Sequence, residues 1–287
     1  MMTESELLRE IRHNSAKRNH PDGEIYTGIG TLEVKNLSAV FGVPGREIEI
    51  TALENNIIPE RYAQNQKSCS VQDQICLLQS AVTVVGLGGL GGTVVEILAR
   101  EGVGTLRLID GDSFEDSNLN RQLFSCSQSL GMPKAEAAAR RVMQINPSVT
   151  VEKQAVFLNA QNAADLLKGS DAVADCLDNI KTRFVLESAA KKAGIPMVSA
   201  AVAGASGHVT CIFPEDKGLE SIYGPAEFLE EKGAEQTLGC LAHAVFLISA
   251  LEASEVIKIL LKRDTTLQNR LLLMDLRDNT FEIMHLI

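Results

Sequence analysis

The run Gly86-Leu87-Gly88-Gly89-Leu90-Gly91 constrains this chain more than any other feature. It follows directly on a short apolar, β-branched stretch, Ala81 to Val85. It leads directly into an amphipathic stretch from about Gly89 to Glu101, with a further apolar run at Thr105 to Ile109. A Gly-x-Gly-x-x-Gly turn between strand and helix permits a tight bend and lets backbone N–H groups approach an anion that the helix dipole also favours. The pattern predicts a βαβ unit with a phosphate-sized site at the start of its helix.

The same alternation continues along the chain. Pro133 precedes an alanine-rich helix to about Ile145, since proline suits a first helical turn. Val149 to Val156 reads as a strand, Ala160 to Lys168 as a helix and Asp171 to Cys176 as a buried strand. Lys181 to Ala193 follows as a helix and Pro196 to Ala201 as a strand. Alternating strands and helices imply a largely parallel sheet covered on both faces. After the turn Gly204-Ala205-Ser206-Gly207, the segment His208 to Phe213 is expected to pair antiparallel with its predecessor. A long apolar helix, about Leu241 to Leu261, and a hairpin of Leu271 to Met274 with Thr280 to Leu286 close the chain. The expected fold is therefore a doubly wound, Rossmann-like α/β sheet, mostly parallel, with antiparallel additions near the C-terminus. Between these parts, Pro214 to Gly239 is acidic and irregular, and a loop of that length in a compact domain is usually functional or mobile.

Residues 1–56 do not share this pattern and read as an N-terminal extension to a nucleotide-binding unit at 57–287. Within the extension Thr3 to Arg12 suits a short helix and Asn14 to Gly23 is polar and basic. Thr31 to Ile50 suggests one or two short strands around the Gly42-Val43-Pro44-Gly45 turn.

Charge narrows the partners. With 27 Lys and Arg against 37 Asp and Glu, a formal net charge of −10, the chain lacks the clustered cations that coating a nucleic acid requires. No stretch approaches the roughly 18 apolar residues of a membrane span, and Met1 to Arg18 is charged throughout, unlike a signal peptide. These features lead us to expect a cytoplasmic protein. The six cysteines, Cys69, Cys76, Cys126, Cys176, Cys211 and Cys240, form no Cys-x-x-Cys pair and are expected to be reduced core thiols.

Candidate chemistry lies after strands or at helix starts, where open α/β sheets gather ligands. Asp110, at the end of the second strand, is placed to accept hydrogen bonds from ribose hydroxyls. Asp112 and the run Asn118-Leu119-Asn120-Arg121-Gln122 place an arginine and several amides in the loop that follows. Arg121 offers a planar fork of donors for phosphate, and Lys134, behind Gly131 and Pro133, adds a point charge at a helix start. Singly, each reads equally well as a solvated surface charge; together with the glycine turn they suit a triphosphate. Asp178-Asn179 leaves the buried run Ala172 to Leu177, with Arg183 a turn further on. A carboxylate there is placed for Mg²⁺, which shares oxygen ligands with phosphates, while either residue could instead cap the helix.

Such a set fits attack by a carboxylate on the α-phosphate of ATP. The carboxylate is already ionised, so the step depends on positioning and on cations, with Arg121, Lys134 and Asp178 as its working residues. It also explains why no Ser-His-Asp or Cys-His set is evident.

In this order the segments resemble the ThiF/MoeB/HesA family, bacterial relatives of ubiquitin-activating enzymes, from roughly Arg61 to the C-terminus. The matching elements are Gly86-x-Gly88-Gly89-x-Gly91, Asp110-x-Asp112, Asn118-Leu119-Asn120-Arg121-Gln122, Gly131-x-x-Lys134 and Asp178-Asn179-x-x-x-Arg183. The resemblance implies adenylation, with Mg·ATP, of the C-terminal glycine of a small ubiquitin-like or sulfur-carrier protein by a homodimer. It implies ribose binding by Asp110, phosphate contacts by Arg121 and Lys134, and Mg²⁺ ligation by Asp178. Gly86, Gly88, Gly89, Gly91, Asp112, Asn118, Gln122 and Asn179 are expected to complete the nucleotide site.

Three departures stand out. The paired Cys-x-x-Cys of many members is missing, so no zinc is expected. No cysteine falls within Pro214 to Gly239, and Cys240 just beyond it is expected in the core, which favours adenylation without a covalent enzyme intermediate. The family's Arg-Tyr-x-Arg-Gln element stands as Arg61-Tyr62-Ala63-Gln64-Asn65, with Gln64 at the second arginine. Competing readings are activation of a carboxylate on a tRNA base, as in the TcdA-like enzymes, a nucleotide-binding scaffold without turnover, and an NAD-dependent oxidoreductase. The last leaves Arg121, Lys134 and Asp178 unexplained.

Overall fold

The computed structural model describes residues 4–225 and 233–286. Its main body is an eight-stranded sheet. The first βαβ unit is β4 (Ala81–Val85), α5 (Gly89–Glu101) and β5 (Thr105–Ile109), as the glycine turn demands. There follow α6 (Lys134–Ile145), β6 (Thr150–Gln154), α7 (Ala163–Leu167), β7 (Ala172–Asp175), α8 (Ile180–Ala193) and β8 (Met197–Ala203). Strands β6-β5-β4-β7-β8 are parallel neighbours in that order. The chain thus winds outward from β4 to β6, then crosses back to the other side of β4, and the adjacent ends of β4 and β7 form the switch point at which such sheets bind ligands.

Three antiparallel strands extend the sheet beyond β8. These are β9 (Ser206–Ile212), β10 (Arg270–Asp275) and β11 (Thr280–His285), with β11 at the edge. The 19-residue helix α11 (Ala242–Leu260) covers one face of the sheet with α5, in a core that includes Val84, Leu98, Val198, Val209, Ile248 and Val256. A second core on the opposite face packs Leu167 and Leu186 against Val173 and Met197. Strand side chains alternate between faces, so β8 sends Val198 and Ala200 to the first core and Met197 to the second. The acidic Pro214 to Gly239 segment holds two one-turn helices, α9 (Glu220–Tyr223) and α10 (Glu235–Leu238); residues 226–232 of it lie outside the described residues. No helix among the described residues is long and apolar enough to cross a membrane.

The N-terminal region departs from expectation. After α1 (Glu4–His13), strands β1 (Ala16–Asn19) and β2 (Ile25–Ile29) form a hairpin to which β3 (Ile57–Pro59) adds in parallel. Thr31 to Ile50 holds not strands but the helix α2 (Thr31–Phe41) and most of a second, α3 (Gly45–Glu54). The Gly42-to-Gly45 turn joins helices. Gly42 adopts the left-handed conformation, φ 68°, and its N–H closes α2 on Ser38 O, as a glycine C-cap does. Val34, Leu37 and Phe41, then Ile48 and Ala52, recur at helical spacing and meet in one small core. Local alternation was the weaker of two periodicities in the same residues.

This region is joined to the sheet through buried polar contacts. α4 (Val71–Gln79) runs beside α3, and a two-turn 3₁₀ segment, Glu60–Asn65, carries Arg61 and Tyr62. Glu49 on α3 is fully buried; it pairs with Arg61 Nε at 3.2 Å and accepts from Ser148 Oγ at 2.9 Å and Tyr62 Oη at 3.2 Å. Asn146 Nδ2 in turn donates to Tyr62 Oη and to Ala99 O. Arg46 Nη1 donates to Gly104 O and Thr105 Oγ1 at the start of β5. These contacts lie at the amino ends of β5 and β6, the opposite end of the sheet from the glycine turn.

Candidate functional site

The glycine turn is shaped by backbone sterics. Gly86 has φ +88°, and a Cβ there would lie 2.6 Å from Cys176 O, so the carboxyl end of β7 abuts the turn. A Cβ on Gly91 would overlap Gly86 O, which leaves glycine as the residue that lets α5 start so close to β4. Gly88 is different: it precedes the first residue of α5 with φ −78°, and the nearest atom to a Cβ there is Gln122 Nε2 at 3.5 Å. Gly86 and Gly91 serve the fold; Gly88 leaves the approach to the N–H groups of the helix start open.

Asp110 braces this turn. Its Oδ2 accepts from Leu87 N at 2.6 Å and its Oδ1 from Asp112 N at 2.7 Å. Burial holds its carboxyl above the usual carboxylate range, against the pull of these two N–H donors and of Lys134. Lys134, almost fully buried at the first position of α6, reaches Asp112 Oδ2 with its Nζ at 3.1 Å. The ammonium is thus tethered beside the turn by a carboxylate that is itself half exposed. Arg121 Nη1 donates to Ser117 O at 3.0 Å and Asn120 Oδ1 at 2.8 Å.

Across the turn, Asn179 caps α8, its Oδ1 accepting from Thr182 N at 2.9 Å and from Thr182 Oγ1. The cap reading therefore holds for Asn179. Asp178 beside it is exposed and makes no hydrogen bond or ion pair among the described residues. Arg183 is buried: its Nη1 binds Asp175 Oδ2, Ser199 Oγ and Ala200 O, and its Nη2 binds Leu177 O, tying the carboxyl end of β7 to the middle of β8.

One cleft of about 740 Å³ joins these elements at the carboxyl ends of the parallel strands. Gly86, Gly88, Gly89, Asp110, Asp112, Arg121, Gln122, Lys134 and Asp178 all line it. Gln122 is buried there with Oε1 unpartnered. Three expected site residues do not reach the lining. Asn118 is buried and turned into its own loop, its Oδ1 accepting from Glu115 N at 3.0 Å, and Asn179 is spent on the helix cap. Gly91 is withdrawn behind the turn for the steric reason above. Among the described residues no group of three or more His, Cys, Asp or Glu side chains is arranged to hold a metal ion by itself. A single carboxylate such as Asp178 still suits Mg²⁺ that takes its remaining ligands from phosphates and water.

The cysteines divide. Cys176 and Cys211 are buried, and burial pushes both thiols above the ordinary range. Cys126 is exposed. Cys240 is not a core residue: it is half buried, lines the cleft, and donates weakly to Val202 O at 3.7 Å. Burial raises its thiol also, so it is not an activated thiolate.

Other lining residues were not foreseen. Phe157, after β6, stays 67% exposed over Gly111, where a Cβ would meet its ring. An exposed aromatic just past a strand end was the available signal. His208 on β9 meets the hydroxyl of Tyr223 at 3.2 Å, and burial beside Arg183 pushes its pKa down to about 4, so the imidazole is neutral. The registers place Ala201, His208, Leu273 and Glu282 in one row across β8 to β11, and Ala203, Ser206, Asp275 and Thr280 in the next. Both rows line the cleft. They form an outer arm on the α8 side of the sheet, which no periodicity in the sequence reveals.

The ThiF family model matches residues 62–287. The SAMP-activating enzyme E1 of Haloferax volcanii is 37% identical over 206 residues, covering 72% of this chain and 76% of that protein. The adenylyltransferase and sulfurtransferase MOCS3 of Drosophila yakuba is 34% identical over 291 residues, covering 95% of this chain; this chain spans 62% of that relative's length. Among solved structures, the crystal structure of E. coli MccB with ATP superposes with a TM-score of 0.68 at 21% identity, covering 88% of this chain and 78% of that one, a likeness of fold. With its glycine turn, switch-point cleft and mixed eight-stranded sheet, the chain belongs to the ThiF family and, like the relatives named for it, is an adenylyltransferase of the ubiquitin-activating type.

Proposed function

We propose that residues 57–287 activate the C-terminal carboxylate of a small ubiquitin-like or sulfur-carrier protein as its adenylate, using ATP. One observation carries this reading. Asp178, free of partners among the described residues, faces the same cleft as the glycine turn, Arg121 and Lys134. The names of the relatives, an E1 and an adenylyltransferase, support it.

In this reading a carboxylate oxygen of the partner's last residue attacks the α-phosphorus, the bond from that phosphorus to the bridging oxygen breaks, and pyrophosphate leaves. The nucleophile is ionised at neutral pH, so no residue need take a proton. The N–H groups at the start of α5, opened by Gly88 and Gly89, receive the phosphates. Arg121 and Lys134 carry the charge that develops on them; Asp112 holds the ammonium in place meanwhile. Asp110, already committed to two backbone N–H groups, sets the turn that presents the ribose. Mg²⁺ would be held by Asp178 and the phosphates, and would neutralise part of their charge. The family's homodimer is the expected assembly, and exposed Leu119 and Leu123 flanking Arg121 are available to it.

The test is ATP–pyrophosphate exchange with a carrier protein ending in Gly-Gly, for the natural chain and for Asp178→Asn. Exchange that depends on the carrier and falls at least 100-fold in the variant supports the reading. Exchange undiminished by Asp178→Asn, or ATP binding with no exchange for any Gly-Gly carrier, sinks it.

A further inference from the structure

At the carboxyl ends of the parallel strands, β4 leads into the glycine turn, its neighbour β5 ends just before Asp110, and β6, next in the sheet, leads to Phe157. Each strand lies about 4.8 Å from the last. In doubly wound sheets the phosphates sit on the turn after the first strand and the ribose at the acid after the second. The base of a nucleotide held in that order extends past Asp110, towards the segment that follows β6.

A flat apolar surface stands there. Ile109, Val156, Phe157 and Leu158 line this end of the cleft. A Cβ on Gly111 would lie 2.6 Å from Phe157 Cγ, 2.6 Å from Cδ2 and 2.8 Å from Cδ1. A point so nearly equidistant from three atoms of a flat ring lies close to the axis through its centre, so Gly111 packs against one face of the phenyl ring. Gly111 is not left-handed; the ring is what excludes a side chain there. With one face covered in this way, the 67% exposure of Phe157 falls on its other face and rim.

The ring is also held in place. Leu158 beside it is buried in the second core. Phe157 O accepts from Asn162 Nδ2 at 2.9 Å. Asn162 Oδ1 accepts from Asn159 N at 2.8 Å, and Asn159 Oδ1 from Gln161 N at 2.9 Å. An apolar ring so fixed, with its free face on a ligand cleft, is a stacking surface that a base can cover without reordering the loop.

We propose that Phe157 is the platform on which the nucleotide's base stacks, and that through it the site selects a purine over a pyrimidine by ring area. This rests on the nucleotide-binding part of the adenylation reading above and adds a specificity-determining residue to it. The neighbouring side chains, Ile109, Val156 and Leu158, have no donor or acceptor with which to read the edge of a base, so the area of the stack sets the preference.

The chain has no tryptophan, so Phe157→Trp introduces a single fluorophore at the platform. Mg·ATP at a concentration shown by calorimetric titration to saturate should quench its emission by stacking. The kinetic arm is ATP–pyrophosphate exchange with a Gly-Gly carrier, compared with the same exchange using CTP. Cytosine offers the same amino donor beside a ring-nitrogen acceptor as adenine does, on a smaller ring. The natural chain should prefer ATP by about tenfold in KM, and Phe157→Ala should raise KM for ATP about tenfold and narrow the preference to about twofold. Its kcat should change little, since the base lies away from the α-phosphorus. Phe157→Trp should keep the natural preference. Emission of Phe157→Trp unmoved by saturating ATP, or a preference that Phe157→Ala leaves intact, overturns the proposal. ATP that quenches Phe157→Trp with no exchange for any Gly-Gly carrier supports the platform and sinks the adenylation reading instead. ATP that fails to bind the natural chain overturns both. Should Phe157→Ala fail to fold by circular dichroism, the emission of Phe157→Trp decides alone.

Discussion

Replacing Gly86 and Gly88 in turn by alanine separates what the glycine turn does for the fold from what it does for a ligand. At Gly86 the backbone is left-handed, φ +88°, a conformation that costs an alanine about 1 to 2 kcal/mol. The new Cβ would stand 2.6 Å from Cys176 O and 2.9 Å from Cys176 C, both backbone atoms, so β4 and β7 must part by several tenths of an ångström. Overpacking of this kind costs about 1 to 3 kcal/mol. The sum is about 2 to 5 kcal/mol, a melting point lower by roughly 10 °C for a chain of this size. At Gly88 the nearest atom, Gln122 Nε2, is at 3.5 Å, an ordinary contact, and φ is −78°. Gly88→Ala should lose about 1 kcal/mol or less of stability yet bind ATP at least tenfold more weakly, because the methyl group intrudes where phosphate approaches the N–H groups. Urea unfolding at constant m and calorimetric titration with ATP read the two quantities. If Gly86→Ala stays within about 0.5 kcal/mol of the natural chain, the argument from the left-handed turn is wrong. If Gly88→Ala binds ATP normally, the phosphate role of the turn is wrong.

Three further outcomes follow from buried and exposed charge. Asp178→Asn should leave urea stability within about 0.5 kcal/mol, since its side chain has no partner to lose, and a larger loss would make it a structural residue. Arg61→Ala should cost about 3 kcal/mol by stranding the buried Glu49 carboxylate, and Glu49→Gln in the same chain should recover part of it; equal losses in the single and double variants would refute the pairing. Glu252, fully buried and hydrogen-bonded by Cys176 Sγ at 3.3 Å, is pushed well above the usual carboxylate range by burial. Its proton is held more tightly in the folded chain than in the unfolded one. The stability it contributes is therefore complete below about pH 4.5 and is lost as pH rises through the folded pKa. Glu252→Gln should gain on the natural chain as pH goes from 5 to 8 in urea titrations, whereas parallel curves would place an ionised carboxylate in the core.

The doubly wound sheet was legible in the sequence because its signals are local. Strand runs, helix periods and the Gly86-to-Gly91 turn each act within a few residues, and β4-α5-β5 lies where they place it. The grouping of Arg121, Lys134 and Asp178 on one cleft was legible for the same reason: they follow strand ends in order, and strand ends meet at a switch point in any such sheet. Asn118 and Asn179 misled because an amide that could reach a ligand can equally satisfy its own backbone, and the nearer donor won. Thr31 to Ile50 misled because the apolar residues satisfied two periods at once, and packing against α3 and α1 chose the helical one.

What the sequence by itself determined is the family of chemistry. Glycine, arginine, lysine and aspartate at these offsets mark the chain as a member of the ThiF family. Only the tertiary structure decided the rest. It set the register that ranks Ala201, His208, Leu273 and Glu282 in one row, the placement of Cys240 in the cleft, and the joining of the N-terminal region to the far end of the sheet through Glu49 and Arg61. Those pairings link residues far apart in the chain, and their geometry is set by hydrogen-bond ladders and burial, which no short stretch of sequence contains.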